Sequence, residues 1–150
     1  MLSNILHTGI TVTDLDRSVA FYRDVLGLSY QGELVMEGPE TDVLFGRKGC
    51  RARVAYLKGG HGEDGALVEL ICFTSEEPEH QKTDLFRTSI SELCFHTDDI
   101  QADYERMKKQ GVEFLSAPQP FDFTSSGFGK SKAVYLRDPD GNILELMEYL

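Results

Sequence analysis

Cysteine is scarce in this chain, and what there is carries no pairing pattern. Cys50, Cys72 and Cys94 are odd in number and form no CxxC pair. Two of them fall inside apolar, strand-like runs, which argues against a disulfide framework and for reduced thiols. Positive charge is also short: 15 Lys and Arg stand against 25 Asp and Glu, giving a formal charge of −10 and a pI near 4.8. Such a field repels phosphate backbones and anionic membranes, so no nucleic acid is expected as a general partner, although a local basic patch can still take a small anion. No apolar stretch approaches the ~20 residues needed to span a bilayer, and the N-terminus shows no charged leader followed by an apolar run. No membrane partner is expected, and the expected compartment is cytoplasmic. What remains is a chain of 150 residues, 41% hydrophobic, long enough to bury a core as one domain.

The chain repeats itself. His7-Thr8-Gly9-Ile10-Thr11-Val12-Thr13-Asp14-Leu15 is answered by Glu92-Leu93-Cys94-Phe95-His96-Thr97-Asp98-Asp99-Ile100, a shift of 85 residues (92 minus 7). Alternation puts Ile10 and Val12 on one strand face and His7, Gly9 and Thr11 on the other. Asp14 then precedes Leu15, Val19, Tyr22, Val25 and Leu26 at helical spacing, with Gly27 as a left-handed stop. Asp99, Ile100, Tyr104, Met107 and Gly111 repeat that grammar. Extended segments follow each helix: Leu28 to Leu34, Arg53 to Leu57 and the strand holding Glu69, then Val112 to Leu115, Ala133 to Leu136 and the strand holding Glu145. The turns Gly59 to Gly65 and Asp138 to Asn142 read as hairpin connections.

Both halves therefore read β-α-β-β-β, and the expected fold class is α+β. The two modules span about 1–74 and 88–150, joined by a polar linker over about 75–87. They are expected to form one domain with a curved mixed sheet around a cleft. The strand pattern directs His7, Glu69, Glu92 and Glu145 away from the helix layer. Leu67, Ile71, Ile143 and Met147 share the carboxylate faces and would make the cleft semi-apolar.

A carboxylate on a central strand is costly without compensation. Three converging carboxylates and an imidazole supply oxygen and nitrogen donors to a divalent ion and leave positions for water or substrate oxygens. The competing explanation is structural: each acid pairs with a Lys or Arg, or sits at a frayed strand end.

The run from His7 through Asp14, Arg17, Phe21, Tyr22 and Gly27 to Leu28, the triplet Val68-Glu69-Leu70, and the run from Tyr135 through Asp138-Pro139-Asp140-Gly141-Asn142 to Leu146 resemble one known family. It is the glyoxalase I / bleomycin-resistance / extradiol dioxygenase group, the vicinal oxygen chelate superfamily, and the resemblance covers nearly the whole chain. It implies that His7, Glu69, Glu92 and Glu145 are ligands of one divalent ion, with Ni, Co, Mn, Mg and Zn all open. Where the family usually has His or Gln, this chain has Glu92. That argues against a ring-cleaving oxygenase, and the intact set of four argues against a pure binding protein.

The resemblance implies a lyase or isomerase of the lactoylglutathione lyase type, in which the metal acts as a Lewis acid and steadies an enediolate. Glu145 is the implied base, with Glu69 second. A methylmalonyl-CoA epimerase-like isomerase and a metal-free sequestering protein of the bleomycin-resistance kind are the alternatives. The expected substrate is a small molecule, with a glutathione or CoA thioester-type anion as the candidate. A homodimer is expected, with the site built in one chain or across two.

Other residues read as secondary. His96 shares the face of Glu92 and is a candidate for lining the cleft, with ligation a lesser alternative. His61 and His80 read as exposed. Arg47, Lys48, Arg51 and Arg53 form the densest basic run, either a solvated hairpin or an attractor for carboxylates or phosphates. Thr124 to Lys130 reads as a mobile loop, either an ordinary surface connection or a lid.

Overall fold

The computed structural model describes residues 4–59, 65–81 and 83–150. The chain divides into two compact units, Met1–His80 and Gln81–Leu150, so the boundary falls inside the linker read from the sequence. In the first unit, β1 (His7–Thr11), α1 (Leu15–Ala20), β2 (Ser29–Glu37), α2 (Pro39–Phe45), β3 (Arg51–Lys58) and β4 (Leu67–Phe73) follow in order. In the second come β5 (Leu93–His96), α3 (Ile100–Lys109), β6 (Gln119–Asp122), β7 (Lys130–Arg137) and β8 (Ile143–Tyr149).

Each unit builds one four-stranded mixed sheet, ordered β1-β4-β3-β2 and β5-β8-β7-β6. In both, the first strand runs parallel to the last and the remaining pairs are antiparallel. The α+β class therefore holds, and each half keeps the expected first strand, helix and three further strands, with one added helix in the first unit.

The helix starts are set as the sequence predicts. Asp14 accepts the amide of Arg17 at 3.0 Å and Asp99 accepts that of Ala102 at 2.9 Å, each satisfying an amide of a helix's first turn. Gly27 and Gly111 adopt positive φ (79° and 86°), the left-handed region that ends a helix at little cost only for glycine. Beyond Ala20 the first helix widens into a π-helical turn over Phe21–Val25, in which Leu26 N–H donates to the Phe21 carbonyl at 3.1 Å.

The core of the first unit collects Val12, Leu15, Tyr22, Val54, Leu57, Val68 and Leu70 between helix and sheet; that of the second includes Ile100, Met107, Val134, Leu136 and Leu144. In β4, Val68, Leu70 and Cys72 are buried while Leu67, Glu69 and Ile71 alternate onto the other, half-buried face. A polar residue is tolerated there because the helix covers only one side of the sheet.

Two expectations change. Val112 to Leu115 is not a strand: one bridge, Phe114 to Leu136, is all that forms, and β6 takes the edge at Gln119–Asp122 instead. Pro120 in β6 is acceptable because an edge strand does not need every amide. The helix α2 has no counterpart in the expected β-α-β-β-β module; Pro39 stands in its first turn and left-handed Gly46 ends it.

Candidate functional site

The ladders decide which side chains meet. In the first unit Gly9 of β1 and Tyr56 of β3 both stand opposite Glu69 of β4. In the second, Cys94 of β5 and Tyr135 of β7 stand opposite Glu145 of β8. The repeat thus places each carboxylate between a first-strand residue and a tyrosine, with His7 and Glu92 two residues before Gly9 and Cys94.

Around Glu69 the geometry is definite. Tyr56 donates its hydroxyl to Glu69 Oε1 at 2.6 Å. That bond to a charged acceptor is the main reason the phenol is pushed up to about 12, with desolvation second. The other oxygen, Oε2, lies 3.5 Å from His7 Nε2. His7 meets the Tyr56 ring edge-on at 6.2 Å. A Cβ placed on Gly9 would come within 3.2 Å of Glu69 Oε2, so the absence of a side chain there leaves that oxygen its room.

Around Glu145 the chemistry differs. Glu145 is 9% exposed. Glu92 sits half-buried just ahead of β5. Cys94 retains solvent contact, yet its thiol is pushed up to about 12, first by desolvation, then by hydrogen bonding to Glu145 and by the negative charge of Glu145 and Glu92. Tyr135 is raised as well, by desolvation first and then by Glu145, Glu92 and Cys94. Glu92 and Glu145 therefore act on the same two neighbours. Among the described residues no Lys or Arg pairs with Glu69, Glu92 or Glu145.

Two donor atoms on one divalent ion, each at roughly 2.0 to 2.2 Å and separated by 90 to 110°, stand about 3 to 3.5 Å apart. The 3.5 Å between His7 Nε2 and Glu69 Oε2 matches that spacing, and the imidazole and carboxylate donor types suit a divalent ion. Among the described residues the structure does not gather three or more His, Cys, Asp or Glu side chains into one metal-holding cluster. It brings His7 to Glu69 in one unit and Glu92 into the neighbourhood of Glu145 in the other.

The secondary candidates resolve more simply. His96 stacks on Tyr149 at 5.9 Å, with Asp98 at 3.9 Å from its Nδ1. Of the basic run, Arg47 pairs with Glu76, Arg51 with Glu37 at 2.8 Å, and Arg53 with Glu33 and Asp16 at 2.7 and 2.8 Å. The arginines are thus occupied by the chain's own acids, and they lie in the connection from α2 to β3 and in the start of β3 instead of in a hairpin. Thr124 to Lys130 is an ordered connection: Asp122 accepts the hydroxyl of Thr124 at 2.6 Å and pairs with Lys130 at 3.4 Å. His80 is exposed, as expected, and His61 lies outside the described residues. Tyr56 is the site residue that sequence reasoning missed. A signal existed in the repeated Ala55-Tyr56-Leu57-Lys58 and Val134-Tyr135-Leu136-Arg137, an apolar residue, Tyr, Leu and a cation on the third strand of each module.

Among the described residues no helix is long and apolar enough to cross a membrane. A lactoylglutathione lyase of Haemophilus influenzae is 30% identical over 145 residues, which cover 96% of this chain and 91% of that protein. A probable lactoylglutathione lyase of Vibrio cholerae is 27% identical over 144 residues, covering 96% and 89%. These relatives support an enzyme. The crystal structure of a glyoxalase family protein from Bacillus cereus superposes with a TM-score of 0.84 at 21% identity, covering 100% of this chain and 96% of that one, and shares the fold. The family profile described as Glyoxalase/Bleomycin resistance protein/Dioxygenase superfamily matches residues 4–146, and the chain belongs to that superfamily.

Proposed function

We propose that the protein is a metal-dependent lyase or isomerase of the glyoxalase I type, with His7, Glu69, Glu92 and Glu145 as donors to one divalent ion. The observation that carries this reading is the set of three carboxylates at repeat-matched positions, none of them paired with Lys or Arg among the described residues. Acids on sheet faces with no Lys or Arg to neutralise them call for a cation from outside the chain. When bound, a divalent ion supplies a Lewis acid that polarises a substrate carbonyl and offsets the charge developing as a proton leaves the neighbouring carbon.

The chain's own groups do the rest. Glu145, buried and beside only a weak thiol donor, takes the proton from that carbon and returns it at the adjacent one. Glu69, held by the Tyr56 hydroxyl, is suited to staying in place. Ile143, buried, and Met147, half-buried, alternate onto the Glu145 face of β8 and limit water around the transferred proton. The proposed substrate is a small glutathione-type hemithioacetal, in keeping with the lactoylglutathione lyases among the relatives, and the proposed assembly is a homodimer.

Elemental analysis and isotope exchange test this. Purified protein is expected to hold about one divalent ion per chain. Glu145→Gln is expected to lower turnover, and solvent-deuterium entry into the product, by roughly 10²- to 10⁴-fold. A metal-free protein that binds small thiol adducts equally well before and after the substitution overturns the reading in favour of sequestration.

A further inference from the structure

The two oxygens of Glu69 are treated unequally by the fold. Oε1 accepts the Tyr56 hydroxyl at 2.6 Å, while Oε2 faces His7 Nε2 at 3.5 Å, in space kept open by Gly9. A carboxylate with both oxygens unrestrained can rotate and offer either or both to a cation. Here one is engaged, so a single oxygen remains on the imidazole side. The engagement is enforced by the ladder, because Tyr56 and Gly9 are the direct cross-strand neighbours of Glu69 on either side.

The second unit provides the contrast. Tyr135 stands at the matching register opposite Glu145, yet no hydrogen bond joins the two among the described residues. Cys94 occupies the place of Gly9.

We infer that Tyr56 is a positioning residue, which with Gly9 fixes Glu69 as a one-oxygen donor aimed at an ion beside His7. The inference rests on the metal reading above and adds to it a residue outside the ligand set. Groups that hydrogen-bond to metal ligands typically contribute 10- to 100-fold to metal affinity. The phenol holds the acceptor oxygen without touching the ion, so its loss weakens binding through Glu69 alone.

Calorimetric titration with Mn²⁺ tests this on the full chain, with wild type, Tyr56→Phe, Gly9→Ala and Tyr135→Phe in parallel. Tyr56→Phe keeps the ring and removes the donor; Gly9→Ala crowds the other oxygen from the opposite strand, at a position without positive φ. The expected result is a dissociation constant raised about 10-fold or more in Tyr56→Phe and in Gly9→Ala, with Tyr135→Phe within about threefold of wild type. Thermal melting in chelator verifies that each variant is folded, and the two independent variants guard against one that is not. Wild-type affinity in both Tyr56→Phe and Gly9→Ala, or an equal loss in Tyr135→Phe, overturns the positioning role while leaving the metal reading intact. A wild type that takes up no Mn²⁺ or other divalent ion overturns both.

Discussion

The two units share a ladder and differ in what they hang on it. In each, the last strand carries a glutamate, the third strand a tyrosine opposite it, and an ionisable residue stands two positions before the other neighbour, within β1 for His7 and just ahead of β5 for Glu92. In the first unit the carboxylate is satisfied locally, by a phenol at 2.6 Å and an imidazole at 3.5 Å. In the second, two carboxylates share a neighbourhood with a thiol, and their negative charge is felt by both Cys94 and Tyr135. Duplication of the backbone therefore conserves the place of a functional group without conserving its partners. The difference separates a carboxylate held by a phenol from one that stands beside a thiol and a second carboxylate.

Exchanging the leading residues tests that separation most severely. His7→Ala removes a nitrogen donor outright and is expected to lose more than about 100-fold in Mn²⁺ affinity, exceeding what hydrogen-bonding partners of ligands contribute. Glu92→Gln keeps an oxygen donor at the matched position and is expected to stay within roughly tenfold of wild type. Equal losses in calorimetric titration would break the asymmetry between the units.

Alkaline titration sharpens it at intermediate scale. Cys94 moves from 9.0 to about 12 and Tyr56 from 10.0 to about 12 in the folded chain. Between about pH 9 and 12 the unfolded chain therefore holds fewer protons than the folded one, so stability falls as pH rises through that window. Cys94→Ala is expected to flatten the lower part of the decline in denaturant melts, whereas Tyr56→Phe removes only the part that begins near pH 10. A decline unchanged in both variants would show that neither the burial of Cys94 nor the hydrogen bond from Tyr56 to Glu69 holds its proton as the structure has it.

The smallest effect concerns what the units have in common. Asp14→Ala and Asp99→Ala each delete one side-chain cap, and each is expected to lower stability by about 1 kcal/mol, read as similar shifts in thermal midpoint. A loss several times larger in one unit would mean that its helix start carries more than a cap.

Much of this was legible before any coordinates. Asp14, Asp99, Gly27 and Gly111 punctuate the helices through local chemistry, and the alternation in Val68-Glu69-Leu70 reports burial one residue at a time. What stayed hidden depends on pairing at a distance. Tyr56 acquires its hydrogen bond only because the register of β3 on β4 places it against Glu69, and the glycine-rich sequence between the two strands gives no unique offset. The seven-residue helix α2 is too short for an apolar period to emerge, although Pro39 and Gly46 bracket it. Val112 to Leu115 has strand-like composition yet yields the edge to a segment containing proline, because β7 pairs farther along the chain. The alternatives left open for the arginine run could be decided only once Glu33, Glu37, Asp16 and Glu76 were seen beside it.

Those arginine pairs bear on how the molecule meets its surroundings. With Arg47, Arg51 and Arg53 each tethered to an acid, this densest basic run offers no separate positive patch, and the overall charge of −10 governs the field around the chain. A dissolved divalent ion approaching the protein is drawn in over a distance set by the Debye length, about 8 Å at physiological salt. Capture should accordingly slow as ionic strength rises, while an approaching anion would gain from the same added salt.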